Sequence, residues 1–526
     1  MPAGRRGRPY QVPDDTSSIR SATVDVDARV GWLLLMSRLH HPDPGFGSGE
    51  SFNAALEQVG LRADRSAVSR WESGKVTPRY QVLMAYEQAL GLSPGHLTSV
   101  VNALRRSLGG QDLPAWAPVL DVGQPAFHEE LDRLVDLIVE DLGTGAEWLS
   151  FGHHVAAAKN LYLHRDVWHR LTTRLIHELS LSVGVAYLQR FEAMRLLLEH
   201  RVAERWLLEA VGAFLDDPAV QVINDPVGVL EISRASEAAE IVLDTFFTTE
   251  SAEVLWATGE SVAIKIEAGD YDQEEIRRIE LSLGRRLKKP DASAGNFSDL
   301  IMALPPAAQQ RLLRESRAVP EHDQLRQAAA HGERWAPETT RRVSARLAAA
   351  VRSRLPSAQL YDDDKMTPRL IREALFAARG NRTHYASIFL HGSPMRESLA
   401  AVLATEIDRV GLDDPLTPRF ARLLRYVVTV EQEEAMLAWL PQASGAVARD
   451  FARALGHMAS KGSLAALTSL LERPGSDVVL LDRALLYGLG MRQDPSLAGV
   501  AADSDRSEPI RAGAEWWLAR GGAVRH

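Results

Sequence analysis

At 526 residues the chain exceeds what a single hydrophobic core can hold, roughly 250–300 residues, so several structural units are expected. It is 45% hydrophobic and 25% charged, the balance of an ordinary globular protein, and it has no cysteine. That excludes disulfides, thiolate nucleophiles and Cys-ligated zinc or iron–sulfur centres, and a reducing cytoplasm is the compartment to expect.

The net charge of −9 argues against a chain coated throughout in nucleic acid. The distribution is uneven, however. Residues 1–110 carry 13 Lys and Arg against 10 Asp and Glu, and the remainder carries 47 against 59. A basic head on an acidic body suits a protein that touches DNA at one end. No apolar core follows the basic start, and no apolar run approaches the ~18 residues of a membrane span, so no membrane partner is expected.

In chain order, residues 1–22 mix Arg, Pro, Gly, Asp and Ser without apolar periodicity and read as a flexible basic arm. Helical spacing begins near Val24 and runs through residues 23–108. The stretch GGQDLPAWAPVLDVGQP then reads as a linker over 109–124. Residues 125–290 are a succession of amphipathic segments such as HEELDRLVDLIVEDL, with apolar residues three and four apart and almost no alternating strand pattern. A polar, proline-bearing connection over 291–339 leads to residues 340–526. There the pair Leu455-Gly456 recurs as Leu489-Gly490 within helix–turn–helix units. The fold class predicted is all-α, an N-terminal helix-turn-helix domain followed by a helical-repeat or solenoid-like body. The C-terminal units resemble HEAT-type repeats, most closely in DPSLAGVAADSD and PIRAGAEWWLA.

The segment from Glu50 to Leu97 carries the most chemistry. Ser51 to Val59 predicts a short helix with Phe52, Leu56 and Val59 on one face, ended at Gly60. Asp64 can cap a second helix, Arg65 to Glu72, that sends Val68 and Trp71 to the core and leaves Arg65, Ser66, Ser69 and Arg70 outward. Arginine can bond both acceptors of a guanine and serine several groups, so these four are the base-reading candidates. Ser73-Gly74-Lys75 ends that helix, and another follows whose Leu83, Tyr86, Glu87 and Leu90 precede a stop at Gly91.

Over SAVSRWESGKVTP and ALGLSPGHL this segment resembles the Xre/Cro, phage-repressor type of helix-turn-helix domain. The resemblance implies DNA-backbone contacts from Lys75, Thr77 and Arg79, with Ser51 a lesser candidate at its own helix start. Helix one is predicted over Ala28 to Leu39. The loop HHPDPGFGSG after it is longer than the family usually has, and GLRAD holds about three extra residues. Ahead of the domain, Arg6-Gly7-Arg8-Pro9 reproduces the core of an AT-hook, so Arg6 and Arg8 are candidates for a minor-groove contact, against a merely solvated tail.

Other clusters point to structure. His153, His154, His164, His169 and His177 form no known ligand spacing, so no metal is expected. Asp362-Asp363-Asp364 and Glu431, Glu433 and Glu434 read as solvated turns or helix faces, and Asn381-Arg382-Thr383 matches a glycosylation acceptor by letters only. No phosphate loop, nucleophile elbow or dinucleotide fingerprint stands in the chain, so neither an enzyme nor a cofactor is expected.

The function expected is a sequence-specific, DNA-binding transcriptional regulator, a homodimer on double-stranded DNA in the cytoplasm and associated with the nucleoid. Its C-terminal helical region would take a peptide, small-molecule or protein effector. In layout it resembles peptide-pheromone regulators, without their tetratricopeptide signature. The alternative is an interaction scaffold whose helix-turn-helix domain contacts protein.

Overall fold

A computed structural model describes residues 10–109, 116–217, 219–249, 252–288, 297–316, 322–355, 363–460, 462–473 and 478–526. Arg6 and Arg8 lie outside them. Among the described residues the chain is all-helical, with a single isolated β-bridge between Ser182 and Val524, and no helix is long and apolar enough to cross a membrane.

The helices fall into two compact units that interleave in sequence. Unit 1 comprises residues 1–118, 336–377 and 381–432. Unit 2 comprises 119–335, 378–380 and 433–526. The segment expected to run from 340 to 526 as one domain is therefore divided at 432, and its first part joins the N-terminal helices. Nothing local in the sequence marks that division, because it is made by contacts between distant segments, such as that of Arg29 with Glu373.

Unit 1 begins with α1 (Val26–Leu39), α2 (Gly49–Gln58), α3 (Arg65–Glu72), α4 (Tyr80–Ala89) and α5 (His96–Leu108), and a short 3-10 turn, Pro44–Gly47, fills the loop between α1 and α2. Helices α6 (Pro125–Val139), α7 (Gly145–Ala157), α8 (Arg165–Leu181), α9 (Val185–Leu198), α10 (Arg201–Leu215), α11 (Asn224–Ile232), α12 (Ser236–Thr248), α13 (Ala252–Ala268), α14 (Gln273–Arg286), α15 (Ser298–Ala303), α16 (Pro306–Glu315) and α17 (His322–His331) belong to unit 2. Helices α18 (Pro337–Ser353), α19 (Met366–Phe376), α20 (Gly380–His391), α21 (Arg396–Val410) and α22 (Thr417–Val427) return to unit 1. The chain closes in unit 2 with α23 (Glu433–Trp439), α24 (Gly445–His457), α25 (Val478–Met491), α26 (Ser496–Ala502) and α27 (Glu508–Arg520).

In unit 1, α1 is buried on every side: Val30, Trp32, Leu33, Leu34, Leu35 and Met36 are all shielded from solvent. A helix apolar all round needs neighbours all round. On one side these are α3 and α5. On the other, Trp32 stacks on Phe389 of α20 and donates its indole N–H to Asp364 (3.2 Å). Asp364, which the sequence assigns to a solvated turn, is buried instead, and also accepts from the N–H groups of Met366 and Thr367 at the start of α19.

Two arginines of α1 are buried as well, and each is paired. Arg29 donates to Asp15 (2.7 Å) and to both oxygens of Glu373 (2.7 and 2.8 Å). Glu373 also accepts from Arg369 (3.0 Å) and Arg382 (2.9 Å). Arg382 reaches on to the Thr23 carbonyl and Arg369 to that of Ser17. This network of three arginines and two carboxylates ties the N-terminal segment, α1, α19 and α20 together. The letters Asn381-Arg382-Thr383 thus fall on a buried structural arginine.

In unit 2, neighbouring helices pack mainly on the next or next-but-one along the chain: α6 on α7, α7 on α9, α8 on α10, α11 on α13, α13 on α15, α14 on α16. One apolar core runs from Phe127 to Leu325, with Trp148 and Trp168 fully buried in it. The C-terminal helices fold back on this body. Trp516 donates to Asp217 (3.1 Å), and the Val524 N–H donates to the Leu181 carbonyl (2.9 Å). His153 and His154 are buried on α7, with the His154 ring bonded to the Ser150 carbonyl (2.8 Å). No group of three or more potential ligands for a metal occurs among the described residues.

In unit 2 the Glu231 carboxyl works against stability at high pH. Desolvation pushes Glu231 on α11 up to about 8, the Glu260 carboxylate adds to the shift, and Arg195, Lys265 and a bond from Ser261 oppose it. The folded state therefore holds this proton more tightly than the unfolded chain. The associated stability is full below the ordinary glutamate value of 4.5 and is lost as pH rises through about 8. Glu231→Gln is expected to raise stability by about 2–4 kcal/mol at pH 9 and to leave it nearly unchanged at pH 4, measured by denaturant unfolding at both.

Candidate nucleic-acid interface

Three consecutive helices of unit 1 stop in one way. α2, α3 and α4 end at Gly60, Gly74 and Gly91, whose positive φ angles (88°, 68° and 61°) side chains disfavour. At each, the glycine N–H bonds back within the last turn and the next residue's N–H reaches the carbonyl of Leu56, Arg70 or Glu87, a Schellman closure. Between α2 and α3 the connection is residues 59–64. It ends at Asp64, whose carboxylate caps α3 by accepting from the Ala67 N–H (2.6 Å) and the Ser66 hydroxyl (2.7 Å). These two bonds hold its carboxyl below the usual range.

α3 is held from behind by its buried side. Val68 is in the core, whereas Trp71, expected beside it, is only half-buried, and Glu72 takes the deeper position. Glu72 is there because Arg38 of α1 meets it with two parallel bonds (2.6 and 2.7 Å), and the Tyr86 hydroxyl of α4 adds a third (3.2 Å). Charge-assisted, two-pronged pairing of this kind fixes orientation as well as energy. It joins α1, α3 and α4, and sequence spacing does not reveal it because its partners stand on three different helices.

The C-terminal end of α3 meets α1 backbone to backbone. A Cβ on Gly31 would lie 2.6 Å from the Gly74 nitrogen and 2.8 Å from the Trp71 carbonyl oxygen, and one on Gly74 would lie 2.9 Å from the Asp27 oxygen. Backbone cannot yield as a side chain can. Gly31→Val is expected to destabilise unit 1 by about 2–3 kcal/mol, seen as a lowered denaturation midpoint.

On the outer side, Arg65, Ser66, Ser69 and Arg70 are all exposed on α3. Lys75, Thr77 and Arg79 are exposed beyond its end, and Ser51 in the first turn of α2. The Arg65 side chain passes beside Gly49, 3.7 Å from where a Cβ would stand, so the starts of α2 and α3 adjoin. Ser48 makes no side-chain cap on α2, which leaves that helix's first N–H groups uncapped from within, although Glu50 beside Ser51 opposes an anion there. Arg62, exposed in the connection, is a further cation that helix spacing does not single out.

Residues 62–79 contain five cations, Arg62, Arg65, Arg70, Lys75 and Arg79, and two carboxylates. Of those two, Asp64 is committed to capping and Glu72 is buried against Arg38. The exposed charges of this segment are thus five cations and one carboxylate, that of Asp64.

Two hydroxyls are partly committed. Thr77 donates to Asp27 (2.8 Å), and a phosphate, which only accepts, would have to displace that bond. Ser66 donates to Asp64, so its oxygen is left to accept, as from the amino group of adenine or cytosine.

No protein-family model matches the chain, and no curated protein is detectably similar to it.

Proposed function

We infer that the chain is a sequence-specific DNA-binding transcriptional regulator. In this reading α2 and α3 form a helix-turn-helix of the Xre/Cro type, and α3 lies in the major groove. Arg65, Ser66, Ser69 and Arg70 read bases, while Lys75 and Arg79 hold the backbone, with Ser51 and Thr77 in lesser roles. The observation that carries it is the exposed face of α3, arginines and short hydroxyls on a helix whose carboxylates are all turned to structural work. The protein acts as a homodimer, because one such helix reads only a few base pairs. It belongs in the cytoplasm, on the nucleoid.

The helical remainder serves as a receptor for a peptide, small molecule or protein. The neighbour-on-neighbour packing of unit 2 supports a repeat-like body of the kind that offers extended surfaces.

Phosphate contacts make affinity fall with salt, by a slope of about 0.9 per contact. Lys75→Ala and Arg79→Ala are each expected to reduce that slope by about one and to weaken all duplex sequences alike, measured by fluorescence anisotropy over a salt series. Binding that ignores salt would instead favour a protein partner for this face.

A further inference from the structure

We propose that the outer face of α4 is the surface through which two copies of the chain pair on DNA, antiparallel, with Met84 at the two-fold axis. This rests on the DNA reading above and assigns the contact between copies that a homodimer needs.

α4 buries Tyr80, Val82, Leu83, Ala85 and Tyr86 and turns Gln81, Met84 and Gln88 to solvent. Three and four residues apart, these three form one stripe along the helix. Met84, at its centre, is a large apolar side chain left 38% exposed. Among the described residues neither glutamine side chain makes a hydrogen bond. From Tyr80 to Gly95 there is no cation, and the one carboxylate, that of Glu87, is buried and accepts from the N–H groups of Gly95, Leu97 and Thr98. In a chain of which 25% is charged, this whole stretch exposes no charge. Depletion of charge around an exposed methionine is what sets the centre of a protein interface apart from the surface beside it.

A second copy is the occupant this face suits. Across a two-fold axis a charged stripe would meet its own charge, whereas an uncharged one meets no repulsion. Two antiparallel copies of α4 centred on Met84 bring Gln81 of one protomer, three residues before the axis, against Gln88 of its partner, four residues after it. An amide both donates and accepts, so each pair satisfies itself, and it does so twice. The place fits as well, because Arg79, at the N-cap position of α4, is a proposed backbone contact and the face adjoins the DNA that both copies share. The stripe covers about two turns of helix, too little to bury the ~1,000 Å² of a stable free dimer. Pairing is therefore expected on the duplex, where two half-sites hold the copies together.

The test uses the full-length protein and two duplexes, an inverted repeat enriched by selection on the wild type and the same duplex with one half-site scrambled. Wild type is expected to fill the inverted repeat cooperatively, the second copy binding about 10-fold or more tighter than the first. Met84→Arg and Met84→Glu should each abolish that cooperativity, since either places like charges at the axis. On the single half-site the two should act only slightly and in opposite directions, as added charges of opposite sign near DNA do. A second measurement avoids charge. The chain has no cysteine, so Met84→Cys introduces its one thiol, and copper-catalysed air oxidation on the inverted repeat should link two protomers by a disulfide, seen on a non-reducing gel. Leu281→Cys, exposed on α14 of unit 2, is the control and should stay unlinked.

Cooperativity that survives both charged variants would overturn the proposal. So would Met84→Cys protomers that link no more readily than those of Leu281→Cys. Either outcome, with the half-site duplex still bound, leaves the DNA reading standing. A wild type that binds neither duplex nor enriches any has failed that reading, and the proposal falls with it.

Discussion

Glu373→Ala is expected to destabilise unit 1 by about 3–5 kcal/mol, enough to leave a marginally stable unit largely unfolded. The carboxylate is fully buried and accepts from Arg29, Arg369 and Arg382. Without it, Asp15 alone faces three guanidinium groups, and two of these, on Arg29 and Arg382, are themselves buried. Charges stripped of their partner in the interior are far more costly than the pair was ever stabilising. Chemical denaturation followed by tryptophan fluorescence reads this directly, because Trp32 sits in the same core. The change should also abolish DNA binding, although Glu373 is remote from α3 in sequence. A variant with unaltered stability would mean that α19 does not hold α1.

The second large effect concerns the reading face. Arg65→Ala with Arg70→Ala is expected to weaken a selected site by about 100-fold or more, since a two-pronged arginine–guanine contact contributes about 1–3 kcal/mol of discrimination. Both side chains are exposed and neither makes a structural ion pair among the described residues, so the fold should survive, and an unchanged denaturation midpoint is the control. Binding to unrelated duplex should change little beyond the loss of two charges. If the selected and unrelated sites weaken equally, these arginines hold backbone and do not read bases.

Local chemistry is legible in the sequence. The stops at Gly60, Gly74 and Gly91, the cap at Asp64 and the span of α3 all follow from rules that act within one helical turn, and the structure has each where spacing puts it. Long-range pairing is not legible. Arg29, Arg38 and Glu72 look like surface residues by type, and only the fold shows why each is buried. One clue is present: Val30 to Met36 is apolar on every face apart from Gly31, which a surface helix seldom is, and it points to neighbours that α2–α5 cannot supply. Those neighbours are α19 and α20. Periodicity says that a segment is a helix and which side it buries, but not which other helix covers it, so residues 336–432 cannot be assigned to the N-terminal unit from pattern alone. Asp364 reads as solvated for the same reason, since its partner Trp32 stands in a distant part of the chain.

Selection of duplexes from a random pool by the full-length protein, at about physiological salt, tests the DNA reading most directly. Enrichment of an inverted repeat is expected, with half-sites one helical turn apart or a multiple of it, about 10 base pairs between centres, as two copies of α3 related by a two-fold axis would read. A pool that stays random through successive rounds, while the protein remains folded, would contradict it and leave the exposed face of α3 to a protein partner.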